Sequence, residues 1–322
     1  MAWRRMGLIL VVAVLGAALL GGCEDARRWA YHQGIAFEQW RAGLDALRVP
    51  TEDGLDWHLL QSKDGEQAPA VLLIHGFGAD ARNWVRFANQ LEGEYRFIIP
   101  DLPGHGDTLP LTTSMDYRLN KQAVRLFGLL DQLGIERFHV AGNSMGGAIA
   151  IEMARRQPGR LISLGLVDAA GVTLQTPEFR DALARSPGNP LIPRRAEDFH
   201  ATLDWATERS VGMPDFAITL MGAEKAANAE VAEKVWADIN QDPAMQLGQS
   251  DVLSSIDTPT LVLWGREDRL LGVDNVEVFT QSMPNARAVI LDGVGHVPMA
   301  EAAGQSAEAF RVFWNQVPDR PR

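Results

Sequence analysis

A serine stands in a glycine-rich turn at residues 142–147, which read GNSMGG. The apolar run 138–141 before it is typical of a buried strand, and residues 148–156 after it keep helical spacing until Pro158. Glycines two before and two after Ser144 allow a sharp strand-to-helix turn that exposes the hydroxyl above the helix N-terminus. G-x-S-x-G alone is a weak signal, but this context predicts that Ser144 is a nucleophile.

A serine hydroxyl is protonated at neutral pH, so it attacks a carbonyl only when a neighbouring imidazole takes its proton. Of the seven histidines, His296 lies in the glycine-containing sequence GVGH after a late apolar run, C-terminal to the serine. His296 is therefore the predicted base. We expect His75 and His105, in two other glycine-rich loops, to be structural. Structural roles are also expected for the other four: His32, His58, His139 and His200.

The carboxylate that orients the base should follow a late strand and precede the histidine. Asp268 fits this position, in the sequence WGRED at the end of a late apolar run. Two rivals are Asp168, at the end of an earlier apolar run, and Glu267, beside Asp268. We expect Asp268 to hold the imidazole in the tautomer that accepts from the serine.

An oxyanion that forms when the serine attacks needs two backbone donors, each contributing about 3 to 4 kcal/mol. The N–H of Met145, directly after the nucleophile, is one expected donor. The other is the N–H of Phe77, in the sequence HGFG that follows the apolar run 71–74. The glycines on either side of Phe77 permit the close approach that this role requires.

Short apolar runs alternate with helical patterns, as buried parallel strands do when helices connect them. The predicted strands are residues 71–74, 97–99, 138–141, 161–167, 260–264 and 288–291, with residues 55–60 as an edge strand. Residues 171–250 break this rhythm with helical segments and several prolines, and they predict a helical cap over the ligand-binding edge of the sheet. The predicted fold class is α/β, with a mostly parallel central sheet, helices on both faces and a helical cap insertion.

The strings HGFG, DLPGHGDT, GNSMGG, WGREDRL and GVGHVPMAE occur in this order. Residues 52–316 thereby resemble the α/β-hydrolase superfamily, which implies an oxyanion hole formed by Phe77 and Met145. Residues 114–170, together with the N-terminus, look most like bacterial lipases and monoacylglycerol-lipase-like enzymes. The resemblance implies a serine carboxylic-ester hydrolase that acts through an acyl-enzyme on acylglycerols or other lipid esters. We expect neither a cofactor nor a metal.

Two other functions stay open at this stage. GNSMGG is also frequent among hydrolases of the same fold that cleave carbon–carbon bonds in ring-fission products. Those enzymes resemble HGxGPGA in the first loop and carry tryptophan after the base, whereas this chain has HGFGADA and Val297. The third possibility is a catalytically silent binding protein, which a complete set of nucleophile, base, acid and oxyanion donors disfavours.

The N-terminus has the pattern of an export signal. Arg4 and Arg5 precede an apolar stretch, residues 7–20, that is too short to span a membrane comfortably. The chain's only cysteine, Cys23, completes the sequence LGGC, which resembles a bacterial lipobox. We therefore expect residues 1–22 to be a lipoprotein-type signal peptide, and a lipid on Cys23 to anchor the protein in the bacterial envelope, facing the periplasm or exterior. A buried free thiol and an uncleaved signal anchor are the alternatives.

The remaining chain divides into three predicted regions. Residues 23–50 form an amphipathic helix, which lies either on the membrane or on the protein's own surface and ends at Pro50. The core comprises residues 51–170 and 251–322, and the cap comprises residues 171–250. The apolar stripe of the helix runs through Trp29, Phe37, Trp40, Leu44 and Leu47.

Composition limits the class of partner. The chain is 46% hydrophobic and 22% charged, so it can bury a full-sized core. With 41 acidic and 30 basic side chains its formal charge is −11, which repels a phosphate backbone. We therefore expect no nucleic-acid partner.

Overall fold

The computed structural model describes residues 24–63, 67–172, 175–185, 188–242, 245 and 250–317. Within these residues, eight strands form one sheet in the order β1-β2-β4-β3-β5-β6-β7-β8. The strands are β1 (Leu44–Pro50), β2 (Asp56–Ser62), β3 (Ala70–Ile74), β4 (Arg96–Pro100), β5 (Phe138–Asn143), β6 (Leu161–Val167), β7 (Thr260–Gly265) and β8 (Ala286–Leu291). The pairs β1–β2 and β2–β4 are antiparallel, and the other pairs are parallel. The predicted α/β fold with a mostly parallel sheet is confirmed.

Helices connect the strands and extend between β6 and β7. The α-helices of the described residues are α1 (Glu24–Arg41), α2 (Val85–Asn89), α3 (Leu119–Gln132), α4 (Met145–Arg156), α5 (Pro177–Arg185), α6 (Asp198–Ala206), α7 (Asp215–Ala227), α8 (Ala229–Gln241), α9 (Ser250–Ser254), α10 (Asn275–Ser282), α11 (Pro298–Glu301) and α12 (Ala303–Asn315). Two short 3-10 helices precede α2 and β6, at Ala81–Trp84 and Pro158–Arg160.

Strand β3 illustrates how the sheet is covered on both faces. Leu72 and Ile74 belong to the hydrophobic cluster that includes buried side chains of α3, α4 and α10. Val71 and Leu73, which alternate with them, belong to a second cluster with α2 and α12. Because successive strand residues point to opposite faces, an unbroken apolar run supplies both layers of the core.

The predicted N-terminal helix is too long at its C-terminal end. Helix α1 ends at Arg41, and residues predicted to continue it form β1 instead. Gly43 reverses the chain with a φ of +65°, and β1 then pairs with β2 along its whole length. Strand pairing satisfies the backbone N–H and C=O groups here. The spacing of Leu44 and Leu47 matches a helical stripe, but both residues lie in a strand. The edge strand is therefore β1, and the predicted edge, β2, lies between β1 and β4.

Helix α1 packs on the protein rather than standing apart. Tyr31 is 6% exposed and joins a small hydrophobic cluster with Phe199 and Met221 of the region between β6 and β7. Trp29 and Trp40, by contrast, are 50% and 51% exposed. The helix therefore has one face on the protein and keeps large aromatic side chains on another.

Four helices, α5 to α8, occupy the interval that was expected to be a helical cap. Among the described residues of this interval, the only β-type pairing is an isolated bridge from Gln175 to Leu271. None of the described helices is both long and apolar enough to cross a membrane. The predicted signal peptide, residues 1–22, and Cys23 lie outside the described residues.

Candidate active site

Ser144 lies at a strained turn between β5 and α4. Its backbone has a φ of 54° and a ψ of −119°, and non-glycine residues rarely adopt a positive φ. Its N–H donates to the carbonyl oxygen of Val167 (3.0 Å), and its own carbonyl oxygen accepts from the N–H of Ala170 (2.9 Å). These bonds hold the turn against the end of β6, and the half-buried side chain of Ser144 lines a large cavity.

Three glycines make this turn compact. A Cβ on Gly142 would lie 2.1 Å from the carbonyl oxygen of Gly146. A Cβ on Gly146 would lie 2.4 Å from the carbonyl oxygen of Ile74, and one on Gly147 would lie 2.4 Å from the Cβ of Ala169. The turn therefore approaches β3 and the loop after β6 more closely than any larger residue permits.

His296 and Asp268 form a buried hydrogen-bonded pair, and each residue is 5% exposed. Nδ1 of His296 lies 2.7 Å from Oδ2 of Asp268. Oδ1 of Asp268 accepts from the N–H groups of Leu270 (2.8 Å) and Leu271 (3.0 Å). Because a carboxylate only accepts, Nδ1 donates to it, and Nε2 of the imidazole is the nitrogen that can take up a proton.

The rival carboxylate Asp168 lies beside this pair but has different partners. It is fully buried at the end of β6, and its Oδ1 accepts from the N–H of Gly265 (3.0 Å). Its Oδ2 has no hydrogen-bond partner among the described residues. One oxygen of Asp168 lies within 4.8 Å of both Asp268 and His296. Burial, and then the Asp268 carboxylate, raise the pKa of Asp168 well above its ordinary value, which favours a neutral carboxylic acid.

The two predicted oxyanion donors lie in segments that meet at the serine. Met145 is the first residue of α4, a position whose N–H has no acceptor within the helix. Phe77 follows Gly76, and a Cβ on Gly76 would lie 3.1 Å from the Cβ of Ser144. The ring of Phe77 packs on Trp236 of α8, with 5.1 Å between the ring centroids. The loop after β3 is therefore held between the serine turn and the helices above the sheet.

His75 and His105 occupy the positions expected of structural histidines. Nε2 of His75 accepts from the N–H of Leu102 (2.9 Å), and its Nδ1 lies 2.8 Å from the carbonyl oxygen of Gly76. His75 thereby ties the loop after β3 to the loop after β4. The buried ring of His105 contacts it edge-on, at 5.1 Å between centroids. Burial lowers the pKa of both imidazoles, so both are neutral at physiological pH.

Asn143 links the serine turn to the loop of the base, a role that the sequence patterns did not indicate. Its buried side-chain amide donates to the carbonyl oxygens of Val167 (3.1 Å) and His296 (3.0 Å). Asn143 is the variable residue before the serine in G-x-S-x-G, so the motif carries no signal for it. Its contribution becomes visible only once the fold brings the two loops together.

Two glutamates hold the loop that carries His296. Oε2 of Glu267, one of the rival acids, accepts from the N–H of Val294 (2.9 Å). Oε2 of Glu301 accepts from the N–H of Gly295 (3.1 Å). Backbone N–H groups of a glycine-containing loop are thus fixed by side chains on both sides of it, which orients the imidazole. In the sequence, the only signal for the contact between Glu301 and the loop is the glutamate that ends the string GVGHVPMAE.

A cavity of about 500 Å³ is lined by Ser144, His296 and residues of α1, the core loops and the helices between β6 and β7. That volume is in the range of pockets that hold organic ligands, about 300–1,000 Å³. Its apolar lining includes Phe179, Phe199, Leu203, Phe216, Met221 and Trp236. Such a wall suits an apolar acyl chain, because each methylene removed from water contributes about 0.8 kcal/mol.

Two clusters of acidic and histidine side chains have the spacing that could hold a metal ion, each with three groups within 4.8 Å. One is the imidazole with the two carboxylates at the ends of β6 and β7. The other comprises His58, Asp101 and Asp107. In the latter, Oδ2 of Asp101 lies 2.8 Å from Nδ1 of His58 and accepts from the N–H of Asp107 (2.8 Å). Hydrogen bonds between protein groups thus join His58 to Asp101 in one cluster and His296 to Asp268 in the other.

The chain is similar to known proteins in both sequence and structure. Residues 69–303 match the family described as alpha/beta hydrolase fold. The chain is 36% identical to Lipase 1 of Psychrobacter immobilis over 281 residues, 87% of each protein. It is 31% identical to Lipase 3 of Moraxella sp. (strain TA144) over 319 residues, 97% of this chain and 98% of that protein. Among solved structures, a membrane phospholipase A described as a bacterial virulence factor matches with a TM-score of 0.85 and 33% identity, covering 99% of this chain and 100% of that one.

Proposed function

The chain belongs to the α/β-hydrolase family and is a lipase- or esterase-type serine hydrolase, and we propose that Ser144, His296 and Asp268 form its catalytic triad. The observation that carries this proposal is the His296–Asp268 pair, joined at 2.7 Å, whose imidazole lines the same cavity as Ser144. Nucleophile, acid and base follow β5, β7 and β8 respectively, in the chain order Ser, Asp, His.

Acylation begins when Oγ of Ser144 attacks the ester carbonyl carbon. Nε2 of His296 takes the hydroxyl proton, and Asp268 stabilises the imidazolium through the bond to Nδ1–H. The carbonyl oxygen becomes an oxyanion that accepts from the N–H groups of Phe77 and Met145, beside the positive end of α4. Collapse of this intermediate breaks the ester bond, and the imidazolium gives its proton to the departing alcohol.

Deacylation repeats the same steps with water. His296 removes a proton from a water molecule, which attacks the acyl carbon bound to Ser144, and the oxyanion is held by the same two N–H groups. When the intermediate collapses, the serine oxygen leaves and recovers its proton from the imidazolium. The products are a carboxylic acid and an alcohol, so the cycle consumes only the ester and water.

We propose lipid esters, such as acylglycerols, as the substrate class. The apolar cavity next to the serine supports a long acyl chain, since a small polar ester would gain little from it. The similar proteins are named as two lipases and a phospholipase A, and all three names denote enzymes that act on lipid esters. Carbon–carbon bond cleavage has no comparable support from the cavity.

Turnover of a matched substrate series tests this function. We expect the full-length protein to hydrolyse p-nitrophenyl esters and monoacylglycerols, with kcat/KM rising as the acyl chain lengthens. Ser144→Ala should lower kcat by at least about 1,000-fold without lowering Tm, because the side chain contributes chemistry and little packing. Faster cleavage of a ring-fission diketone than of any ester would instead assign carbon–carbon bond hydrolysis.

We further propose that the enzyme is tethered to the bacterial envelope through a lipid on Cys23, facing the periplasm or exterior. Residues 1–22 have the composition of a lipoprotein-type signal, and Cys23 immediately precedes in sequence the described residues of α1. The exposed side chains of Trp29 and Trp40 suit the membrane–water interface, where tryptophan is enriched. A lipid could then reach the cavity without crossing water.

Mass spectrometry of the mature N-terminus tests the tether. We expect Cys23 to be the first residue and to carry acyl groups, and Cys23→Ser to lack both the processing and the modification. Hydrolysis of lipids in vesicles should fall in Cys23→Ser, while hydrolysis of short soluble esters should not change. An unmodified cysteine in the mature protein, or equal loss on both substrates, would contradict the proposed anchor.

A further inference from the structure

Helix α1 forms part of the wall of the catalytic cavity. Ala30, Gly34, Phe37 and Glu38 line it together with Ser144. Their spacing of three or four residues places them on one face of the helix. The N-terminal helix therefore contributes a continuous strip to the same cavity that holds the nucleophile, although the chain distance between them exceeds 100 residues.

Gly34 is an unusual residue for this strip. It lies inside an 18-residue helix, where glycine is less favourable than every residue except proline. It lacks the positive φ that would require glycine, and a Cβ built on it would meet no atom within 4 Å. Neither backbone conformation nor close packing explains the glycine. What it provides is empty space on the cavity side of α1.

Polar contacts fix α1 in place. The hydroxyl of Tyr31 accepts from Nη1 of Arg82 (2.6 Å) and donates to Oε2 of Glu224 on α7 (3.2 Å). Arg82 also donates through Nη2 to Oδ2 of the buried Asp80 (2.8 Å), and Lys225 on α7 donates to the same oxygen (2.6 Å). The opposite charges compensate one another in the interior.

The same network reaches the catalytic loop. Asp80 and Arg82 follow Phe77 in the segment after β3, so α1, α7 and the proposed oxyanion loop are joined by one set of partly buried contacts. Apolar packing of Tyr31 on Phe199 and Met221 adds to it. A wall held on both sides in this way keeps a constant distance from the serine and can discriminate between ligands of different size.

We propose that α1 is the wall of the acyl-chain pocket that sets chain-length preference, with Gly34 as the specificity-determining residue. This inference rests on the proposed function, because it assigns the space beside Gly34 to methylene groups of the acyl chain. Each methylene transferred from water to such a wall improves binding about fourfold. A side chain at position 34 occupies that space and removes this gain for long chains, while short chains do not reach it.

The test compares Gly34→Phe with Gly34→Ala and Gln33→Phe in the full-length protein. Gln33 is exposed on the same helix and does not line the cavity as described, so Gln33→Phe controls for a new aromatic ring on α1. The measurement is kcat/KM for p-nitrophenyl esters from C4 to C16. We expect Gly34→Phe to lose at least tenfold on C12 to C16 and to stay within twofold of wild type on C4. Gln33→Phe should keep the wild-type chain-length profile within about threefold, and Gly34→Ala, which adds one methyl group to the wall, should lose less on C12 to C16 than Gly34→Phe.

Gly34→Leu provides a smaller second variant, with the same direction of change and a smaller loss. If Gly34→Phe or Gly34→Leu has the wild-type Tm and either an unchanged profile or an equal loss on every chain length, the proposal is wrong. Labelling by a small fluorophosphonate separates this from failure of the proposed function. A chain labelled on Ser144 that cleaves C4 esters retains the function whatever its preference, whereas absence of all ester turnover in the wild type would remove the function itself.

Discussion

Two aspartates follow neighbouring parallel strands and approach the same imidazole, yet their surroundings differ. Asp268, after β7, has both oxygens engaged, by two backbone N–H groups and by His296. Asp168, after β6, has a single backbone donor, and its second oxygen is unpaired among the described residues. Two chemically identical side chains therefore differ in the number of hydrogen bonds that they accept.

The difference shows how a buried site avoids two adjacent negative charges. Two backbone N–H groups and His296 hold Asp268 in place, whereas burial and the nearby Asp268 carboxylate raise the pKa of Asp168. Glu301, the last residue of α11, also raises it. A neutral Asp168 fills the space beside the His296–Asp268 pair without adding a negative charge there.

Asp268→Asn should give the largest effect of the substitutions that test this contrast. The amide would present an N–H to Nδ1 of His296 and favour the wrong tautomer, so the imidazole could no longer take the proton of Ser144. We expect kcat for short esters to fall by about 1,000- to 10,000-fold, with little change in KM. Steady-state kinetics at neutral pH measure it.

Asp168→Asn is the matched control for that experiment. The amide keeps an acceptor for Gly265 and is neutral, as the acid is expected to be, so kcat should remain within a few-fold of the wild type. If the ranking of the two variants were reversed, the orienting acid would be Asp168, on the earlier strand.

Asp168→Ala should cause a smaller effect, on stability rather than on chemistry. It removes the acceptor of the buried Gly265 N–H, and an unsatisfied buried donor costs about 1–3 kcal/mol. We expect a fall of several degrees in Tm by calorimetry. An unchanged Tm would mean that the Oδ1 contact contributes nothing to the fold.

Asp168→Asn should produce the smallest effect, a rise in Tm that depends on pH. The pKa of Asp168 is higher in the folded than in the unfolded chain. The contribution of Asp168 to the stability of the wild type is therefore fully present below about pH 4. The wild type loses that stability as the pH rises from there toward the folded pKa, and the asparagine variant does not. The Tm difference between variant and wild type should therefore grow from pH 4 upward, and a constant difference would indicate an ionised Asp168.

The strands, and the positions of Ser144, Asp268 and His296 after strand ends, could be predicted from the sequence because each depends on a local pattern. Ser144 stands in a G-x-S-x-G turn between an apolar run and a helical pattern, and Asp268 and His296 each follow a late apolar run. The end of α1 could not be predicted in this way. The spacing of Leu44 and Leu47 fits a helix, and the pairing with a distant strand, β2, decides the structure.

Residues that connect distant segments of the fold could not be predicted from the sequence either. Asn143 connects the serine turn to a loop more than 150 residues later, and Gly34 faces a cavity whose other walls come from the core and the cap. Neither belongs to a motif with its own spacing. Their roles depend on how separate segments pack, which a pattern of residue types along one chain does not specify.

Covalent labelling with a fluorophosphonate, followed by peptide mapping, tests the central claim most directly, because only an activated serine reacts. We expect one equivalent of probe per chain, located on Ser144, with loss of ester hydrolysis in proportion to labelling. Ser144→Ala should not be labelled, and Asp268→Asn should be labelled far more slowly than wild type. Labelling of another residue, or ester hydrolysis that continues while Ser144 is blocked, would contradict Ser144 as the nucleophile.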